Sequence, residues 1–122
     1  MTRGICLTAV VFAMLASPAF AQDKCSAPIA PVVPDGKTAT VAQLSQTAKE
    51  VVAFIKDSDS YQACILADIT AQDQAAKADK KTLDPAIRKA LESKGDANQK
   101  EKERIGKAYN TAAAAYKTAH PK

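Results

Sequence analysis

Apolar and polar positions alternate along this chain with three-or-four spacing, and no stretch shows the strict two-residue alternation of a half-buried strand. Val41, Leu44, Ala48, Val51 and Ile55 keep the helical interval, and Tyr61, Ile65 and Ile69 continue it. From Lys37 to Asp84 there is neither glycine nor proline. This predicts one long helix over about 41–80. Thr40 and Gln43 fit a capping box at its start, with each side chain reaching the other's backbone amide. Its weakest point is Asp57-Ser58-Asp59-Ser60, whose side chains compete for backbone hydrogen bonds. A second periodic stretch runs through Ile105, Ala108, Tyr109, Ala112, Tyr116 and Ala119 until Pro121. It predicts a C-terminal helix over about 97–119, capped by Asp96 or Asn98. Between the two, Asp84-Pro85 has the form of an N-cap and first helical residue, and Lys94-Gly95 that of a stop. A short connector helix over about 85–94 follows. Gly106, inside the last stripe, marks a candidate close contact. The fold class expected is all-α, a long helix packed on a C-terminal helix.

Ahead of the first helix the pattern changes. Pro28, Pro31 and Pro34 recur every three residues, the period of a polyproline II helix, and Asp35-Gly36 then turns the chain. A disordered linker has no use for Ile29, Val32 and Val33. The expectation is an extended arm over 22–39, with these three buried against the first helix and a helical domain over 40–122.

The first residues predict an address. Arg3 supplies one positive charge, Ile5 to Leu15 a short apolar run, and Ala19-Phe20-Ala21 small residues at the right places for cleavage before Gln22. About 20 apolar residues are needed to cross a bilayer, and this run falls well short. Residues 1–21 are therefore expected to be a signal peptide, directing the protein to the periplasm or out of the cell. Lipidation is not expected, because Cys25 is separated from the small-residue site by Gln22, Asp23 and Lys24.

Cleavage would remove Cys6 and leave two cysteines, Cys25 and Cys64, in an oxidising compartment. An even pair argues for a disulfide; intermolecular pairing or a free thiol are the alternatives. Reach supports the bridge. From Thr40 to Cys64 a helix rises about 36 Å, and the 15 residues back from Thr40 to Cys25 span about 46 Å as polyproline II. The arm can fold back antiparallel along the first helix and just reach. A staple would be useful, because alanine dominates the apolar content and buries little area per residue.

The set Cys25-x-x-Pro28, the spaced prolines, Pro34-Asp35-Gly36, the capped helix and Tyr61-Gln62-Ala63-Cys64 resembles a family of small signal-bearing, disulfide-containing helical proteins of Gram-negative bacteria. The resemblance covers about residues 25–66, and more weakly the alanine- and tyrosine-rich C-terminal helix. It implies no activity and assigns no functional residues.

Charge is uneven. Residues 22–76 hold 4 basic and 7 acidic side chains, and residues 77–107 hold 10 basic and 6 acidic. The basic segment could face an anionic envelope component. Glu101 and Glu103 interrupt Lys100 to Lys107, unlike a nucleic-acid arm, and no nucleic-acid partner is expected. Catalytic chemistry has little to stand on. The one histidine, His120, sits two residues from the C-terminus. Asp57, Asp59, Asp68 and Asp73 lack the glycine and closing glutamate of a calcium loop. Tyr61, Tyr109 and Tyr116 lie at helical spacing and are expected in the core or at an interface. Phosphate loops and nucleophile elbows are missing from the pattern. The chain is thus expected to be no enzyme, with no catalytic, metal or cofactor residues. It reads as an exported interaction or structural protein, binding an unknown protein or itself. Ala112 to Ala115, between Tyr109 and Tyr116, is a flat candidate surface for self-association. The other reading is a binder of an anionic lipid head group or cell-wall polymer through residues 77–107.

Overall fold

The computed structural model describes residues 24–122; the signal-peptide reading of residues 1–21 lies outside them. Two helices are present, α1 (Val41–Ala78) and α2 (Pro85–Ala119), packed against each other, and no strand occurs among the described residues. At 1.5 Å per residue these are rods of about 57 and 52 Å. They run antiparallel: Leu44 clusters with Ala112, Val51 with Ile105, and Ile65 with Leu91.

Thr40 starts α1 as its sequence requires. Its hydroxyl accepts from Gln43 N at 3.2 Å, and its own amide donates to Gln43 Oε1 at 2.8 Å. The helix passes through residues 57–60 without a break. Ser58 faces α2 with no exposed surface, and Ser60 donates to Lys56 O one turn back. The seam alternates by three and four through Leu44, Thr47, Val51, Phe54, Ser58, Tyr61 and Ile65, the repeat that keeps one stripe facing one partner. After Ala78 the chain closes in a Schellman motif: Lys81 N donates to Ala76 O at 2.8 Å and Lys80 N to Lys77 O at 2.9 Å. This geometry puts Lys80 in the left-handed region, φ 56°.

The separate connector over 85–94 and its stop at Lys94-Gly95 are not found: α2 is one helix from Pro85 to Ala119. Gly95 keeps a negative φ, so it does not act as a left-handed cap. The reason is tertiary. Leu91, Asn98, Ile105 and Ala112 recur every seven residues, and each meets α1 along its length. A helix ending at Lys94 would lose that register. Asn98, expected as a possible cap, is instead buried in the seam, where its Nδ2 donates to Ser58 Oγ at 3.2 Å. The start is as expected, with Asp84 Oδ1 accepting from Ala86 N at 2.8 Å and proline in the first turn.

The arm, residues 25–36, lies extended along the hairpin antiparallel to α1. Cys25 packs on the cluster of Tyr61, Ile65 and Ile69, Ala30 on Val51, Phe54 and Ile105, and Val33 on Ala39, Leu44 and Ala112. Ala27 is exposed, and from Pro28 onward burial follows the three-residue period. Pro28, Pro31 and Pro34, with Ala30 and Val33, are partly covered, and Ser26, Ile29, Val32 and Asp35 face solvent. The expected burial of Ile29 and Val32 therefore fails: they are 94% and 86% exposed. Once Val33 turns inward, residues on the other edge of a threefold helix must turn out.

Candidate functional site

The arm is held at both ends. At its start Cys25 and Cys64 form a disulfide, their Cα atoms 5.8 Å apart, and Lys24 pairs with Asp68 at 3.3 Å. At its end Asp35 organises the turn: its Oδ1 accepts from Lys37 N at 2.9 Å and its backbone carbonyl from Ala39 N at 2.9 Å. Gly36 is buried flat on α2; a β-carbon there would stand 1.8 Å from the carbonyl oxygen of Ala112. Only glycine permits that approach. A segment without internal hydrogen bonds thereby becomes a fixed rail, presenting Ile29 and Val32 outward.

A different groove runs on each side of the rail. On the α1 side, Pro28 to Pro31 face Glu50, Ala53, Phe54 and Asp57 across a groove of about 840 Å³, and Val32 faces Gln46 and Glu50 in a smaller one. On the α2 side, Val33 to Gly36 face Arg104, Lys107, Ala108 and Ala115 around about 590 Å³. The α1 flank is acidic; neither Glu50 nor Asp57 makes an ion pair with a described residue, although Gln46 donates to Glu50 at 2.9 Å. On the α2 flank Arg104 is paired with Glu101 and Asp35 lines the groove, which leaves Lys107 as its positive charge without an ion pair to a described residue.

Most side chains singled out in the sequence are dispersed. Asp59 pairs with Lys102, Asp68 with Lys24, and Asp73 with Lys77 and Arg88. The Lys77 ammonium hydrogen-bonded to Asp73, with Arg88 beside it, holds that carboxyl below its usual range despite some desolvation. Arg104 does the same to Glu101 through two hydrogen bonds at 2.6 and 2.8 Å, and Glu101 in turn raises the guanidinium. Among the described residues, no three His, Cys, Asp or Glu side chains gather as a metal site. His120 ends α2 exposed, its ring stacked on Tyr116 at 4.3 Å. Tyr61, Tyr109 and Tyr116 pack into the three core clusters. Ala112 is covered by the Gly36 turn and is not free for self-association. No described helix is long and apolar enough to cross a membrane.

Three features escaped the sequence reading. Gly36 appeared only as a turn residue, since nothing local says a helix backbone will lie over it. The Ser58–Asn98 pair, which Gln62 extends by donating to Asn98 Oδ1 at 2.9 Å, looked like a helix breaker and a cap. The outward ridge of Ile29 and Val32 was signalled by their spacing of three, but the edge that would face inward was not. No family model, curated protein or solved structure matches the chain.

Proposed function

We propose that this is an exported, non-enzymatic interaction protein whose working surface is the pinned arm. The observation that carries the reading is the pair of aliphatic side chains, Ile29 and Val32, fully presented on a segment fixed at both ends. Exposed aliphatic groups on a preorganised backbone favour a protein contact, because little ordering entropy is left to lose on binding. Export fits the Cys25–Cys64 bridge, which persists in an oxidising compartment. A photo-crosslinking residue in place of Ile29, in cells exporting the protein, should give a discrete adduct. The same residue in place of the exposed Lys49 should give none. Equal labelling from both positions, or from neither, would end the proposal. Intact mass tests the address: the purified protein should begin at Gln22 and take up no alkylating agent without reductant.

A second reading has its own observation. Lys80, Lys81, Lys89, Lys100 and Lys107 are exposed and make no ion pair with a described residue, so this part of the 77–107 segment keeps its charge available to an anionic lipid or cell-wall polymer. Retention on anionic vesicles or wall polymer, falling steeply with salt, would support it. Retention insensitive to salt, or none, would exclude it.

A further inference from the structure

The two flanks of the arm differ in charge at the same level of the molecule. Glu50 borders the arm beside Pro31 and Val32, one residue before Val51. On the opposite side, beside Val33 and Asp35, stand Arg104, which Glu101 pairs, and Lys107, which makes no ion pair with a described residue; they flank Ile105, and Val51 and Ile105 belong to one core cluster. Asp57 extends the acidic flank toward Cys64. Lys107 lies toward Ala112 on the other side. Between the flanks rises the aliphatic ridge, 94% exposed at Ile29 and 86% at Val32.

We infer that this face docks on a second copy of itself, arm against arm, about a twofold axis running along the arm. The inference rests on the reading of the arm as the working surface and names its partner. Rotation about an axis along the arm exchanges left and right flanks without exchanging the ends. Glu50 of each copy then meets Lys107 of the other, twice over, and Ile29 and Val32 each lie beside their own counterpart. A twofold axis across the arm would instead set acidic flank on acidic flank, which charge opposes. A self-complementary patch of this kind is what a closed isologous dimer requires. The face suits a modest affinity. An arm of about 31 Å on a hairpin about 20 Å wide offers roughly 600 Å² per copy, near the lower end for a specific interface.

The test uses the full chain, expressed and purified with its disulfide intact. Sedimentation over about 1 μM to 1 mM should show a monomer–dimer equilibrium that weakens with salt. E50K/D57K makes both flanks basic, and R104E/K107E makes both acidic. Each alone should weaken dimerisation at least about tenfold, and an equimolar mixture should recover it, because every flank again faces its opposite. Ile29→Cys and Val32→Cys, oxidised separately, should each cross-link to the same position of a second copy. Unchanged circular dichroism melts establish that the variants remain folded. A monomer at all concentrations overturns the inference, as does a mixture that fails to recover or a cross-link at only one of the two positions. A strict monomer that still gives an adduct from position 29 in cells means another protein occupies the face. The interaction reading then survives and this inference does not. No adduct and no dimer removes both.

Discussion

Replacing Gly36 by alanine tests how the arm is held. The added β-carbon would lie 1.8 Å from Ala112 O and 2.6 Å from its carbonyl carbon, and ordinary contact begins near 3.4 Å. The two backbones must therefore part by about 1.6 Å, and no side-chain rotation can relieve it, since the obstacle is main chain. The separation opens the cluster of Ala39, Leu44 and Ala112, on which Val33 and Tyr116 rest. Overpacking a filled core costs about 1–3 kcal/mol, and a rigid backbone obstacle belongs at the upper end. For a domain of this size roughly 3 kcal/mol lowers Tm by about 12–24 °C. Gly95→Ala and Gly106→Ala are the controls. Nothing lies within 4 Å of a β-carbon at either position, and both sit inside α2. Each should raise stability by about 0.5–1 kcal/mol, the usual gain of alanine over glycine in a helix. The assay is thermal melting by circular dichroism on all three variants, with helical content compared at low temperature. The same chemical change should thus act with opposite sign according to what faces it. A Gly36→Ala protein that melts with the wild type, or with the two controls, would refute the close docking of the turn on α2.

Reducing the disulfide, or changing Cys64→Ser, should cost about 4 kcal/mol for a cross-link separated by 39 residues. Far-ultraviolet ellipticity should persist while Tm falls; coincident melts with and without reductant would show that the bridge contributes nothing. Asn98→Ala leaves Ser58 buried without a partner and should cost about 1–3 kcal/mol in urea unfolding. Ser58→Ala added to it should recover part of that loss, and strict additivity of the two changes would contradict the pairing. Lys80→Gly relieves a left-handed backbone at φ 56° and should raise stability by about 1 kcal/mol, measured as a higher denaturation midpoint.

Local rules, whose causes lie within a few residues, were sufficient for several parts of this molecule. The capping box at Thr40, the Asp84-Pro85 start, the extent of α1 and the threefold rise of the proline arm each depend on near-neighbour sterics and hydrogen bonds. Chain geometry alone also made a Cys25–Cys64 bridge reachable, because helix rise and polyproline rise have fixed values. Other features depended on what lies across the fold. Lys94-Gly95 has the local form of a helix end, yet α2 continues, since Leu91 and Asn98 on either side both meet α1. Ser58 looked disruptive until Asn98 supplied its partner. The period of three grouped Ile29 with Val32, but which edge of the arm faced inward was decided by Val33 fitting beside Leu44 and by Gly36 lying on Ala112. The opposed charges of the two flanks belong to helices about fifty residues apart in sequence and become neighbours only when the arm lies between them. Periodicity records which residues share a face; only packing between distant segments decides what that face meets.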